Sequence, residues 1–257
     1  MAKICIDPGH YGKQNRSPGI PKYYESEMVW KLANLQKKYL EQLGHQVILT
    51  RNDPNKDLAL VSRGKAAKGC DLFISDHSNA VGSGMNESVS HASIIRMTDD
   101  GTTQCDDVAK AFAEKIGPVI AQTMGITYKV TTRQAQSDRN GDGIKNDNYY
   151  GVLHGARLVN VPGIILEHGF HTHSATVRWL LNDANLDRMA QNEAACIDQF
   201  FKNEQEQKNE EWYVVKKGDT LSKIARTKGT SLTQILQLNP AITNPNKIYV
   251  GQKIRIR

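Results

Sequence analysis

Short apolar runs of strand length alternate with longer segments of helical period from Lys3 to Phe200, and this alternation leaves few folds open. Lys3–Ile6, Gln46–Thr50, Asp71–Ser75, His91–Met97 and Gly163–Leu166 read as strands. Helices are expected over Glu25–Leu43, Leu58–Lys68 and Asp106–Met124, and near Ala175–Leu181 and Leu186–Phe200. The first helix sets Met28, Leu32, Leu35, Tyr39 and Leu43 on one stripe and closes at Gly44. Such a chain predicts an α/β fold, a mostly parallel twisted sheet flanked by helices, and sheets of this kind bind ligands at the carboxyl ends of their strands.

Three places satisfy that rule, because an acid or histidine stands just past a strand: Asp7-Pro-Gly-His10, Asp76-His77-Ser-Asn79 and Glu167. A lone histidine there is usually a hydrogen-bonded structural residue. Three such positions converging on one sheet edge predict a site. A fourth group comes from the first helix, where Glu25 lies three and seven residues before Met28 and Leu32 and so continues the inward stripe. Glu27 points away and serves the helix dipole. Two histidines and a carboxylate, with a fourth position left to water, match the donor set of catalytic zinc sites. Glu167 could then be the base.

The segment Lys202–Glu211 has no apolar residue, so it buries no face and reads as a solvated linker or a frayed helix end. It divides the chain into 1–201, the linker 202–211, and 212–257. The net charge of +6 follows the same division: 212–257 carries nine Lys/Arg against Asp219 alone, which leaves 24 basic and 26 acidic residues in 1–211. Basic character confined to the tail argues against nucleic acid as the partner. No apolar run approaches the roughly 18–20 residues that span a bilayer. The N-terminus reaches Asp7 too soon for a secretory h-region, so synthesis in the cytoplasm without a signal peptide is expected. Cys5, Cys70, Cys105 and Cys196 form no C-x-x-C pair, which argues against a disulfide framework or a thiolate zinc cage.

Two further motifs invite metal readings. Asp138-Arg-Asn-Gly-Asp-Gly143 matches the first half of an EF-hand loop, but its twelfth position is Tyr149, so a turn-rich insertion is the better reading. His168-Gly-Phe-His-Thr-His173 is expected to be a polar loop beside the site, with an independent metal role as the lesser alternative.

The segments ICIDPGHYG, YYESEMVWKLA, LVSRGKAAKGCDLFISDHSNA and VPGIILEHGF resemble the successive motifs of the zinc-dependent N-acetylmuramoyl-L-alanine amidases, which cut bacterial peptidoglycan. The resemblance covers essentially all of 1–200. It implies one zinc held by His10, Glu25 and His77, with Glu167 as the catalytic glutamate. Two departures concern the wall of the site: Asp76 stands where family members usually carry a hydrophobic residue, and the region His171–His173 lacks their usual Asn.

The tail resembles a LysM module, on Tyr213-Val-Val-Lys-Lys-Gly-Asp-Thr-Leu-Ser-Lys-Ile-Ala225, Leu238-Asn-Pro240 and Ile248-Tyr-Val-Gly-Gln252. A small βααβ domain is expected, with Thr220 capping its first helix and Ile254 and Ile256 alternating in an edge strand. The resemblance implies binding of N-acetylglucosamine-containing glycan, with Asp219, Thr220, Leu221, Asn239 and Ile248 at the matching positions. Fold maintenance accounts at least as well for Leu221 and Ile248.

The resemblances together imply hydrolysis of the amide between N-acetylmuramic acid and the L-alanine of the stem peptide. A zinc peptidase acting within the stem, or a non-catalytic wall-binding protein, are the alternatives. Action on the wall is expected after release, as for a phage lysin, or after export by another route.

Overall fold

The computed structural model describes the chain apart from residues 99–104, 140, 142, 144 and 209. It divides into two compact units, Met1–Phe200 and Phe201–Arg257.

In the first unit β1 (Lys3–Pro8), β2 (Gln46–Leu49), β3 (Leu72–Asn79), β4 (His91–Arg96), β5 (Thr127–Thr131) and β6 (Gly163–Phe170) form one sheet in the order β2-β1-β3-β6-β4-β5. All pairings are parallel except β4 with β6. Central strands of a parallel sheet are covered on both faces, which is why β1, β3 and β6 read as continuous apolar runs. Cys5, Phe73, Ile95 and Ile165 pack on one face against Val152, Leu153 and Ala156. The alternate residues Ile4, Ile6, Ile74, Ile94 and Leu166 are fully buried as well.

The helices of this unit are α1 (Glu25–Gln42), α2 (Leu60–Lys65), α3 (Cys105–Met124), α4 (Gly151–Arg157), α5 (Ser174–Leu180) and α6 (Asp183–Lys208), the last running on past Phe200. Four findings depart from the sequence expectations. β3 and β6 extend through their polar residues, so Asp76, His77 and Glu167 lie within strands; the parallel ladder continues through Pro8↔Asp76 and His77↔Glu167. The α1 stripe runs Met28, Val29, Leu32, Ala33, Gln36, Leu40, and Leu43 is 46% exposed. α2 is one short helix crossing α4, where Gly64 and Gly155 let the backbones meet: a Cβ at Gly64 would fall within 3.0 Å of Val152 O, Ala156 N and Gly155 C. α6 continues through most of the apolar-free stretch, since Glu, Gln and Lys are good helix formers whether or not they bury a face.

The second unit holds β7 (Trp212–Val214), α7 (Leu221–Thr227), α8 (Leu232–Leu238) and β8 (Lys253–Arg255), with β7 and β8 antiparallel. Thr220 and Ser231 cap the two helices by accepting from the backbone N–H three residues on. Val215, Leu221, Ile224, Ala225, Ile235, Ile254 and Ile256 form its core. Ile256 lies just past β8, and its N–H donates to Glu211 O.

Candidate functional site

Strand ends and one helix start bring the polar residues together. The turn after β1 holds His10 in the left-handed region, at φ 55°, a conformation that costs a non-glycine residue of order 1–3 kcal/mol. Two arginines hold that turn: Arg51 Nη2 donates to Pro8 O (2.8 Å) and Gly9 O (3.2 Å), and Arg63 Nη2 donates to His10 O (2.8 Å). Asp7 turns toward these anchors, accepting from Thr50 Oγ1 at 2.6 Å and Ser75 Oγ at 2.8 Å and lying 3.6 Å from Arg63. Gly9 leaves room for the His77 ring, because a Cβ there would strike His77 and Asp76 O.

Glu25 opens α1 and is 1% exposed. Its Oε1 lies 2.8 Å from His77 Nδ1 and 3.4 Å from His10 Nε2, and it accepts from Ser78 N at 3.0 Å. Asn15 Nδ2 donates to Glu25 Oε2 at 2.8 Å and sits 2.9 Å from His10 Nε2. Glu27 faces outward, 3.8 Å from Lys13, as the helical phase predicts. Among the described residues, ligand atoms of His10, Glu25 and His77 all lie within 4.8 Å of one another.

Glu167 is the ladder partner of His77, and its Oε2 is shut off from solvent without a hydrogen-bond partner. Burial pushes its carboxyl up to about 7, with the His77 charge opposing and the Glu25 charge assisting. Burial acts on Glu25 in the same sense, but its hydrogen bonds to His10 and His77 outweigh that and hold it far below the usual carboxylate range. Burial would lower His77, yet its bond to Glu25 raises it to about 9. The site thus contains one carboxylate held ionised and a second poised near neutrality.

The three histidines after Glu167 serve three different ends and do not gather as a metal cluster. His168 Nε2 lies 2.8 Å from Glu193 Oε1, and its Nδ1 lies 3.1 Å from His77 O. His171 Nδ1 lies 2.9 Å from Ser78 O and 3.7 Å from Glu25 Oε2, and its ring stacks on Tyr23 at 6.2 Å. His173 caps α5, accepting from Thr176 N in the role an asparagine performs. In the Asp138–Gly143 segment, Asn140 and Asp142 lie outside the described residues; Asp138 closes its own turn by accepting from Gly141 N and Gly143 N.

Sequence reasoning missed Asn15, the Arg51–Arg63 pair and the group Gln36, Asp76, His168 and Glu193. A signal for the last existed: Gln36 occupies the apolar stripe of α1, and Glu193 continues the spacing of Leu186, Met189 and Ala190 on α6.

The family model described as N-acetylmuramoyl-L-alanine amidase matches residues 4–199, and a LysM domain model matches 213–257. The chain belongs to the N-acetylmuramoyl-L-alanine amidase family. Among solved structures, the chain resembles the catalytic domain of CwlV from Bacillus (Paenibacillus) polymyxa var. colistinus, with a TM-score of 0.62 and 22% identity over 79% of this chain and 99% of that one. AmiC2 of Nostoc punctiforme gives 0.61 and 24% over 78% and 97%. At these identities the likeness speaks to the fold. The endolysin of Bacillus phage B103 is 64% identical over 44 residues, 17% of this chain and 17% of that protein.

In the LysM domain the side chains at the matching positions are largely taken up internally. Asp219 Oδ2 accepts from Tyr213 OH (2.7 Å) and Lys216 N (2.9 Å). Asn239 donates to Ile235 O and Arg255 O and accepts from Arg255 N, which pins β8. Thr220 Oγ1 is the cap already described. Leu221 is 1% exposed, so its side chain belongs to the core and presents no surface to a glycan. Ile248 packs on that core, and its neighbours Tyr249 and Val250 are 69% and 70% exposed.

Proposed function

We propose that the chain hydrolyses the amide between N-acetylmuramic acid and the L-alanine of the peptidoglycan stem peptide, with zinc held by His10, Glu25 and His77. The observation that carries the reading is the convergence of two imidazole nitrogens and a carboxylate oxygen beside a half-buried carboxyl, Glu167, one of whose oxygens is buried without a partner. This donor set suits zinc in kind, and its spacing brackets the roughly 3.4 Å between ligands about 2.0–2.2 Å from a tetrahedral ion: Glu25 lies 3.4 Å from His10 and 2.8 Å from His77, and all three ligand atoms lie within 4.8 Å of one another. Bound there, zinc supplies Lewis acidity toward the scissile carbonyl and toward water.

The remaining work falls to the protein. Glu167, once ionised, takes a proton from the attacking water and returns it to the departing alanine amine, which is the exchange a base near pKa 7 performs well. Asn15 and Ser78 N hold both oxygens of Glu25, and Arg51 and Arg63 hold the His10 turn, so the trio stays arranged at little cost in reorganisation. The 213–257 domain binds N-acetylglucosamine-containing glycan between the loop at Gly218–Thr220 and the loop through Ile248, with Asp219 shaping the first loop and Asn239 fixing β8 just beyond the second. The catalytic domain spans 1–201, and the polar segment 202–211 separates it from 212–257.

Digestion of purified walls tests the bond assignment. New N-terminal alanine without new reducing sugar ends is expected. Another amino acid at the new N-terminus would establish a stem peptidase instead.

A further inference from the structure

Behind the His10–Glu25–His77 trio, four polar side chains from four elements are fully buried: Gln36 on α1, Asp76 on β3, His168 on β6 and Glu193 on α6. Glu193 Oε1 pairs with His168 Nε2 at 2.8 Å, and Glu193 Oε2 accepts from Gln36 Nε2 at 2.8 Å. Gln36 Nε2 also reaches Asp76 Oδ1 at 3.3 Å. The second ring nitrogen of His168 faces His77 O at 3.1 Å. A backbone carbonyl only accepts, so Nδ1 of His168 donates to His77 O, and an ionised Glu193 takes a second hydrogen bond from Nε2 to make a buried ion pair.

Burying such a pair is expensive, and apolar residues of equal volume would serve stability as well or better. Its placement suggests another use. The β3–β6 ladder runs in register to His77↔Glu167 and then shifts, so that Asn79 meets Phe170 with one extra residue on β6. His168 and Gly169 (φ +74°) occupy that bulge. At the point where the ladder is interrupted, the His168 ring ties the His77 backbone to the strand that carries Glu167.

We propose that His168 is a positioning residue, which fixes His77 relative to Glu167 by donating from Nδ1 to the His77 carbonyl while Glu193 holds the opposite edge of the ring. The inference rests on the reading of His77 as a metal ligand. It assigns no contact with substrate to His168.

Two amide side chains separate the two bonds. Asparagine places its NH2 at the same bond count from Cα as histidine Nδ1, and glutamine at that of Nε2. In the full-length chain, zinc affinity is measured by chelator competition, the Co2+ absorption spectrum reports ligand geometry, and thermal unfolding is followed in parallel. His168→Asn keeps zinc affinity within about threefold and keeps the Co2+ spectrum, although it unfolds earlier. His168→Gln retains the Glu193 bond, shifts the spectrum and binds zinc roughly 10–100-fold more weakly, the usual scale for losing an outer-shell partner of a ligand. Affinities that fall equally in both variants, in step with melting temperature, would make His168 a stability element only and overturn the inference. A His168→Gln chain with wild-type affinity and spectrum also overturns it, while leaving the zinc reading intact. A wild-type chain that binds no zinc overturns both.

Discussion

Gly64→Ala tests whether the crossing of α2 and α4 holds the site from behind. The added Cβ would lie within 3.0 Å of three backbone atoms of α4: Val152 O, Ala156 N and Gly155 C. Ordinary contacts between such atoms need about 3.5–4.0 Å, so the two helices must part by about 1 Å or more, and backbone does not yield as a side-chain tip does. Overpacking of this kind typically costs about 1–3 kcal/mol, and the rigidity of all three neighbours puts this case at the upper end. For a unit of this size about 3 kcal/mol corresponds to a fall of roughly 6–12 °C in Tm. The displacement reaches the site because the adjacent residue, Arg63, donates to the His10 carbonyl and lies beside Asp7. Zinc affinity should therefore fall together with Tm. Differential scanning calorimetry and chelator competition measure the two quantities, with Gly84→Ala, where an added Cβ meets nothing within 4 Å, as the control. A Gly64→Ala chain that melts within a degree of wild type would refute the account of the crossing, and one that melts early but binds zinc normally would refute the link through Arg63.

His77→Ala should abolish stoichiometric zinc, checked by metal analysis of the purified chain; full occupancy would remove His77 from the ligand set. Glu167→Gln should retain zinc and lose about 100-fold or more in turnover, the scale of a missing general base; loss of metal as well would make Glu167 a ligand. Because Glu167 must be ionised to accept a proton, kcat/KM should fall as pH drops through its pKa. Burial sets that value at about 7 and a neighbouring cation only lowers it, so an acid limb centred well above pH 7 contradicts the assignment. A chain ending at Glu211 should cleave soluble muropeptides at the wild-type rate yet bind insoluble walls poorly; the 212–257 segment should stay on walls stripped of anionic polymers at 1 M salt, where the Debye length is about 3 Å, and release under those conditions would make it an electrostatic anchor.

The trio was legible because its members announce themselves locally. His10 and His77 follow apolar strand runs, and helical phase alone separates inward Glu25 from outward Glu27. β5 was not legible: every position of Thr127–Thr131 keeps substantial exposure, even Tyr128, which lies over Gly117 of α3, so burial imprints little period on the segment. α4 escaped because Gly151 and Gly155 suppress helical propensity in a segment whose glycines are needed where it meets α2. The antiparallel setting of β4 leaves no mark on its own sequence, since direction is decided by the partner strand. The Gln36–Asp76–His168–Glu193 group was legible only in pieces: Gln36 and Glu193 stand at apolar spacings of their helices, but nothing in the four separate segments says that they meet, and only the fold brings them together. The α1 stripe rotated for that same group, with polar Gln36 fully buried while Leu35 stays partly exposed.

β6 is the sixth strand of its unit and the last to leave the ribosome, yet it lies between β3 and β4, which precede it in the chain. Until it emerges, β3 and β4 each present an open edge, an arrangement that invites mispairing. The stretch from β4 to β6 takes several seconds to translate at about 5–20 residues per second. Insertion of β6 closes both edges at once and delivers Glu167 beside His77. Completion of the sheet and arrival of the proposed base are therefore a single event in the life of the chain, and a translation product halted before Gly163 would carry His10, Glu25 and His77 without the carboxyl that completes the proposed site.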